Sequence, residues 1–177
     1  TDYALRKFFE AASKTAWFEN TIFVITADHA ATFSDLAEYK TPSGFFAVPF
    51  VIYEPGNPTR KGYNKTDVVQ QIDIMPTILG MLDYPKDYIA FGQDALDSTQ
   101  RHFAMGYMAQ NYHLFEGENL LQYTGEDVSG MYNFIEDPFF KQNKAAKEDS
   151  QKEKMLKLSQ AFIQEYNRRM IHNQMAE

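Results

Sequence analysis

Residues 20–30 read NTIFVITADHA, and this stretch sets the expectations for both the fold and the chemistry of the chain. Residues 21–26 are a nearly continuous run of β-branched and aromatic residues, which is typical of a strand buried on both faces. Asp28 and His29 come directly after this run. Side chains at the carboxyl end of a strand in an open α/β sheet project into the crevice where ligands bind. We therefore expect Asp28 and His29 to lie within a few ångströms of one another in a shared cleft.

The chemistry of Asp28 and His29 fits a metal site. A carboxylate oxygen and a neutral imidazole nitrogen suit zinc, manganese or another divalent ion, because the carboxylate neutralises charge and the imidazole is a borderline base. The same dipeptide also fits a simpler interpretation, in which Asp28 caps the next turn and His29 is a hydrogen-bonded polar residue. On these two residues alone, both interpretations stay open.

Helical and strand patterns alternate on both sides of this stretch. Apolar residues recur at helical spacing over residues 5–16, and FFAVPFVIYEPG at 45–56 predicts a second buried strand that ends at a Pro-Gly turn. A helix should follow, with Asp73 as its cap and Pro76 in its first turn. Its core-facing residues are predicted to be Ile78, Leu79 and Leu82. This alternation predicts α/β architecture.

The second half of the sequence predicts a different arrangement. Three aromatic segments, RHFAMGYMAQ, YHLFEGENLLQYT and GMYNFIED, are separated by turn residues, as in an antiparallel meander. A charged linker at 141–154 then leads into an amphipathic helix that should cover one face of the sheet. The apolar side of this helix is formed by Met155, Leu158, Phe162, Tyr166 and Met170. We expect two domains, residues 1–98 and residues 99–177.

Composition excludes several classes of function. The 177 residues carry a formal charge of −7, and their lysines and arginines form no basic stripe, so we expect no nucleic-acid partner. The absence of cysteine excludes disulfides, thiolate metal sites and a cysteine nucleophile from this sequence. No apolar run approaches the roughly 20 residues of a membrane-spanning helix, and no signal-peptide pattern is present. Since a helical pattern begins at Thr1 without an initiator methionine, we expect a piece of a longer protein.

Four ordered segments carry a resemblance to a known family: NTIFVITADHA, VPFVIYEPG, QQIDIMPTILGMLDYP and FGQDAL. Together they resemble the carboxyl-terminal part of the alkaline phosphatase superfamily, and within it bacterial sulfatase-like proteins and lipoteichoic acid synthase-type phosphoglycerol transferases. The resemblance covers residues 1–98. It implies the carboxyl-terminal portion of an alkaline phosphatase-like α/β sandwich, and the later antiparallel sheet with its packed terminal helix suits the same family. It also implies that Asp28 and His29 bind the catalytic divalent metal ion, which is Mn, Zn, Mg or Ca.

The resemblance also shows what this chain lacks. Family members attack with a threonine, a serine or a cysteine-derived formylglycine that lies much earlier in the chain, so we assign no catalytic nucleophile here. Thr26 and Thr32 flank the Asp-His pair, and we interpret them as satisfying backbone groups or lining the site. Ala30 replaces the glycine of the frequent Asp-His-Gly pattern, which affects how the following loop leaves the site.

The function that the resemblance implies is that of a fragment. The chain would be the carboxyl-terminal part of a metal-dependent sulfatase-like hydrolase or phosphoglycerol or phosphoryl transferase, acting on an anionic phosphate or sulfate ester. Its partner would be the amino-terminal part of its own parent chain, in a periplasmic or membrane-anchored, extracytoplasmic protein. We expect the fragment alone to be inactive and to hold metal weakly. The alternative is a noncatalytic module that binds a glycan, a lipid or another part of its parent chain.

The remaining candidates each have a structural interpretation beside the functional one. His102, His113 and His172 are interpreted as structural or surface residues, although some two-metal relatives take a late histidine and His113 stays open for that reason. Lys40 and Arg60 could meet an anionic substrate or be ordinary surface residues, and capping explains Asp73 better than catalysis does. The aromatic residues that could form a sugar- or lipid-facing patch, or pack on the terminal helix, are Tyr107, Tyr112, Phe115, Tyr123, Tyr132 and Phe134.

Overall fold

The computed structural model describes residues 1–30, 35–57, 59, 61–64 and 66–175. Their contacts group the chain into two units, which are described separately below: residues 1–27 with 49–65, and residues 28–48 with 66–177. The mixed α/β fold with a carboxyl-terminal helix is confirmed, and the division at residue 98 stays a prediction.

The first unit contains one helix and two strands. Helix α1 spans Asp2–Ala12, a short 3₁₀ helix spans Phe18–Asn20, and strands β1 and β2 span Phe23–Thr26 and Phe50–Tyr53. The strands pair antiparallel, with Phe23 opposite Tyr53. Thr1 occupies the N-cap of α1, and its side chain makes no capping hydrogen bond.

Aromatic rings form the interior of the first unit. Phe9 contacts Phe23 at a centroid distance of 5.1 Å, and Phe18, which is buried, lies 5.5 Å from Phe23. Tyr53 of β2 contacts Phe9 at 5.7 Å, so α1 packs its aromatic side on both strands. Edge-to-face ring pairs of this kind add to the stability that comes from burial alone.

The prediction that both strands are buried on both faces is wrong for the described residues. Alternate residues of β2 are exposed, and Val51 and Tyr53 each keep two fifths or more of their accessible surface. An apolar run reports that a segment favours a strand, but it does not report how many neighbouring strands or layers cover it. Burial on one side and exposure on the other is the pattern of an antiparallel pair packed on a single layer.

The second unit begins with short helices. A 3₁₀ turn at Ala37–Lys40 leads into α2, Pro42–Phe46, whose amino end is capped where Thr41 Oγ1 accepts from the Gly44 amide at 3.2 Å. Part of the predicted second strand therefore belongs to a helix, because a threonine cap followed by proline at the first helical position starts a helix.

A second helical segment follows in the same unit. A 3₁₀ turn at Gln71–Asp73 continues into α3, Ile74–Met81. Pro76 and Thr77 are its buried residues, whereas Leu82, predicted to face a core, lies at the end of the helix and is exposed. The helical spacing of apolar residues continues to Leu82, but the helix itself ends at Met81, so Leu82 does not lie on its core-facing side.

A four-stranded antiparallel meander forms the main sheet, as predicted. Its strands are β3 Ala104–Met108, β4 Asn111–Glu116, β5 Asn119–Tyr123 and β6 Val128–Asn133, hydrogen-bonded in chain order. The first turn consists of Ala109 and Gln110, both with positive φ (49° and 61°), as a two-residue hairpin turn of the primed type requires.

Helix α4, Ser150–Ile171, covers one face of this sheet, which confirms the predicted docking. Met155 is fully buried against Leu114, Leu121 and Met131. The helix begins inside the predicted linker because Asp149 caps it by accepting from the Gln151 amide at 2.9 Å.

The contact of α4 with the sheet ends before the helix does. Met155, Leu158 and Phe162 dock on the sheet as predicted, but Tyr166 is 42% exposed and does not join this core, so that part of the prediction is wrong. Met170 is exposed as well. A helix of 22 residues is about 33 Å long. Four strands of five or six residues span roughly 15 Å across the strands and 20 Å along them, so the helix is longer than the sheet in either direction and its final turns extend past the sheet. Tyr166 instead contacts Phe91, at a centroid distance of 5.6 Å.

Phe46 of α2 packs on the other face of the sheet. The Phe46 ring lies 5.8 Å from the His113 ring and 6.0 Å from the Phe115 ring. Gly106 makes this approach possible, because a Cβ there would lie 2.6 Å from atoms of the Phe46 ring. Among the described residues, no helix combines the length and the apolar composition that crossing a bilayer requires.

Candidate metal site

The Asp28 and His29 side chains lie beside one another in the second unit. Asp28 Oδ2 is 3.6 Å from His29 Nε2, and Asp28 Oδ1 accepts a hydrogen bond from the His29 amide at 2.9 Å. The side chains are 87% and 58% exposed, respectively. Most of each side chain is exposed to solvent, so both can contact a ligand. Their position in a shared cleft stays a prediction.

The position of the His29 ring favours a proton on Nδ1. Nδ1 lies 2.8 Å from the Ala30 carbonyl oxygen. Because a carbonyl can only accept, a hydrogen bond here requires a proton on Nδ1, and in the neutral ring this leaves the lone pair on Nε2. Nε2 is also the nitrogen that faces the Asp28 carboxylate. Metal-binding histidines usually have this arrangement, in which the second ring nitrogen donates to a carboxylate or a backbone carbonyl.

The spacing of the two donor atoms also fits one divalent ion. Oxygen and nitrogen ligands about 2.0–2.2 Å from a tetrahedral ion lie roughly 3.3–3.6 Å from one another. The measured separation of 3.6 Å is at the upper end of that range. Within the described residues, no group of three or more histidine, aspartate or glutamate side chains is arranged to hold a metal. Catalytic metal sites usually have three or more protein ligands, so the two donors of this pair could supply only part of such a site.

Gln71 contributes to this turn, although no sequence pattern indicates this role. Its side-chain Nε2 donates to the Asp28 carbonyl oxygen at 3.2 Å, across 43 positions of sequence. A contact between such distant residues leaves no periodicity or motif. The nearest signal was the cap at Asp73, which fixes the segment that carries Gln71.

Asp73 is a structural residue, but it does not cap α3 as predicted. It lies at the N-cap position of α3 without a side-chain capping bond, and its carboxylate instead completes the capping box of the preceding 3₁₀ turn. It is 2% exposed, and its carboxylate accepts from the Gln70 amide at 2.9 Å and from the Gln93 amide at 2.8 Å. Burial raises the pKa of Asp73 above its ordinary value, while these two amide hydrogen bonds act in the opposite direction. Thr77 extends the cluster, because its hydroxyl donates to the Asp73 carbonyl and accepts from the Ala95 amide.

The other histidines have structural partners. His102 Nε2 donates to the Asp97 carbonyl at 3.1 Å, and His172 follows the last residue of α4. His113 is 2% exposed within β4, and its Nε2 donates to the Met108 carbonyl at 3.2 Å. Burial lowers the pKa of His113, which outweighs the opposite effect of that hydrogen bond, so the ring is neutral near pH 7. Its position under Phe46 is that of a core residue.

The remaining candidates add little to the pair. Thr26 is exposed and its hydroxyl donates to the Ala27 carbonyl at 3.4 Å, and Lys40 is exposed at the end of its 3₁₀ turn. Thr32 and Arg60 lie outside the described residues.

Most of the aromatic residues of the sheet are used in packing. Phe115 is buried between Phe46 and Phe134, and Tyr123 is buried on the side of α4. Tyr132 contacts Phe140 at a centroid distance of 5.1 Å. Tyr107 is the exception at 61% exposure, stacked at a tilt on Tyr112 at 4.8 Å. A single exposed ring is a small surface for a glycan or a lipid.

Comparison with known proteins agrees with the fold. Residues 1–84 match the model of the sulfatase family. An arylsulfatase from Clostridium perfringens (strain 13 / Type A) is 35% identical over 83 residues, which are 44% of this chain and 17% of the arylsulfatase. A solved structure of a protein in the alkaline phosphatase superfamily from Vibrio parahaemolyticus has a TM-score of 0.62 at 24% identity, over 93% of this chain and 40% of that protein.

Residues 1–84 are therefore similar to the sulfatase family, and the fold of the chain resembles that of the solved Vibrio parahaemolyticus protein. Asp28 and His29 lie inside the matched segment. The chain spans less than a fifth of the arylsulfatase and two fifths of the solved structure.

Proposed function

We propose that this chain is the carboxyl-terminal part of a metal-dependent sulfatase-like hydrolase, or of a phosphoryl or phosphoglycerol transferase of the same superfamily. The observation that carries the proposal is the Asp28 carboxylate beside His29 Nε2, inside the segment that matches the sulfatase family. The substrate would be an anionic sulfate or phosphate ester.

Each residue of the pair would have a distinct task. Asp28 would supply a negative charge to a divalent cation, and His29 would supply a neutral nitrogen donor whose orientation is fixed by the Ala30 carbonyl. A divalent ion held there would act as a Lewis acid toward an ester oxygen and lower the pKa of a hydroxyl nucleophile. Neither residue needs to move, because both side chains already face outward.

The rest of the site would come from the amino-terminal part of the parent chain. Catalytic metal sites usually have three or more protein ligands, and this pair supplies two. The small share of the arylsulfatase that this chain spans, 17%, supports a longer parent. The isolated chain should therefore hold Mn²⁺ or Zn²⁺ weakly and turn over neither kind of ester.

The proposal is tested in the full-length parent protein. Asp28→Ala and His29→Ala should each lower turnover of 4-nitrophenyl sulfate or 4-nitrophenyl phosphate by about 100-fold or more, because Lewis-acid stabilisation is worth several kcal/mol. Asp87→Ala makes the same change at an exposed aspartate and should leave turnover unchanged. Circular dichroism spectra of the variants should match that of the wild type.

The same assay separates the alternatives. The substrate that the wild type prefers distinguishes a sulfatase from a phosphoryl transferase. Turnover by Asp28→Ala equal to that of the wild type would contradict the proposal. A parent that turns over neither ester but binds a glycan or a lipid, with Asp28→Ala binding equally well, would instead favour a noncatalytic binding module.

A further inference from the structure

The peptide unit between Asp28 and His29 is bonded at both of its polar ends. Its carbonyl oxygen, which belongs to Asp28, accepts from Gln71 Nε2 at 3.2 Å. Its amide, which belongs to His29, donates to Asp28 Oδ1 at 2.9 Å. The plane of this peptide determines the directions in which the Asp28 and His29 side chains leave the backbone, because it joins their two Cα atoms.

The two kinds of bond constrain the peptide differently. The bond from the His29 amide to Asp28 Oδ1 and the bond from the His29 ring to the Ala30 carbonyl both join sequence neighbours. Such local bonds move together with the turn and do not hold it relative to the rest of the unit. The bond from Gln71 crosses 43 positions of sequence, so it does hold the turn relative to a separate element.

The element that carries Gln71 is itself held firmly. Gln71 is the first residue of the 3₁₀ turn that ends at Asp73. The preceding residue, Gln70, donates its amide to Asp73 Oδ2 and accepts from the Met105 amide of β3 through its side chain, at 3.0 Å. Asp73 in turn accepts from the Gln93 amide. The Gln71 side chain therefore extends from a base that is fixed to the sheet and to the 91–96 segment.

We infer that Gln71 is a positioning residue for metal binding: its side-chain amide holds the Asp28–His29 peptide in the orientation that places the Asp28 carboxylate and His29 Nε2 on one ion. This inference rests on the proposed function, and it concerns a residue that would not itself contact the metal. Loss of the Gln71 donor removes the bond that joins this turn to a separate element of the unit. The two donor atoms then sample other separations, and metal affinity falls.

The inference is tested with Mn²⁺ on the 177-residue chain, by NMR. Paramagnetic broadening is strongest close to the ion and detects weak binding, so the ring protons of His29 report a dissociation constant for this site. Gln71→Met removes the donor at nearly constant side-chain length. We expect the apparent dissociation constant to rise roughly two- to tenfold, as loss of one hydrogen bond predicts. The His29 amide resonance should also shift in the absence of metal.

Two further variants make every outcome informative. Gln164→Met introduces the same chemical change at an exposed position of α4 and should leave both the dissociation constant and the His29 amide unchanged. Asp28→Ala should abolish the selective broadening of His29. Melting temperatures equal to that of the wild type for Gln71→Met and Gln164→Met would show that the affinity change is not a consequence of unfolding.

The Mn²⁺ and turnover experiments distinguish failure of this inference from failure of the proposed function. If Asp28→Ala abolishes the broadening and Gln71→Met binds Mn²⁺ as the wild type does, the pair binds metal but Gln71 does not position it. If the wild type shows no selective broadening, or Asp28→Ala retains it, this chain does not hold metal through the pair and the inference is overturned. Loss of turnover in the full-length Asp28→Ala variant would then still support the proposed function.

Discussion

Asp73 shows how one buried carboxylate can organise a whole segment. Its two oxygens accept from the amides of Gln70 and Gln93, which lie on either side of α3 in sequence. Gly92 lets the chain before Gln93 pass close to Ile72, because a Cβ at residue 92 would collide with the Ile72 carbonyl oxygen. The segment that supplies Gln71 therefore depends on Asp73, although Asp73 has no partner in the metal pair.

Replacing Asp73 with asparagine should destabilise the second unit. The two side chains have almost the same shape, but the asparagine amide nitrogen cannot accept, so one of the two partly buried backbone amides would lose its partner. Leaving a buried donor unsatisfied costs about 1–3 kcal/mol. Urea unfolding followed by far-ultraviolet circular dichroism should show this loss in the free energy of unfolding.

Asp83→Asn is the matched control for that measurement. Asp83 is exposed and has a positive φ of 48°, a conformation that asparagine tolerates well. We expect this variant to unfold like the wild type. An Asp73→Asn protein as stable as the control would show that the two amide bonds contribute little.

At the scale of elements, the sheet and α4 depend on one another. Leu114, Leu121 and Met131 form a cross-strand row whose outer face is closed by Met155. Ser159 is also fully buried on this face, where its hydroxyl donates to the Met155 carbonyl at 3.0 Å. A small residue with an internal hydrogen bond lets the helix approach the strands closely.

Truncation of Met155 tests this dependence. Met155→Ala should lower the free energy of unfolding by about 2–5 kcal/mol, because the removed atoms leave a cavity in a well-packed site. Met170→Ala makes the same change on the exposed end of α4 and should have an effect within about 0.5 kcal/mol. Thermal unfolding of the two variants would compare them directly. Equal losses of stability would contradict the packing described here.

The accuracy of the sequence predictions differed between elements for physical reasons. The meander was predictable because turn residues and aromatic segments of similar length are local signals. The start of α4 was placed too late because charged residues suit both a linker and a helix face. The partial exposure of β2 was missed because an apolar run does not reveal how many layers will cover it.

At the scale of the whole molecule, the candidate site was only partly predictable. Asp28 and His29 are adjacent in sequence, so their proximity follows from the chain itself. The tautomer of His29 and the bond from Gln71 depend on the three-dimensional path of the backbone, which the sequence pattern does not specify. The additional metal ligands and the nucleophile that the proposal requires would come from the parent chain.

The central claim is that Asp28 and His29 are ligands of a catalytic divalent ion. Crystals of the full-length parent grown with Mn²⁺ test it most directly, through the anomalous scattering of the metal. We predict an anomalous difference peak about 2.0–2.5 Å from an Asp28 carboxylate oxygen and from His29 Nε2, which is the bonding range of such ligands. A fully occupied Mn²⁺ site among the acidic residues of the parent chain, with neither Asp28 nor His29 in contact with the ion, would contradict the account.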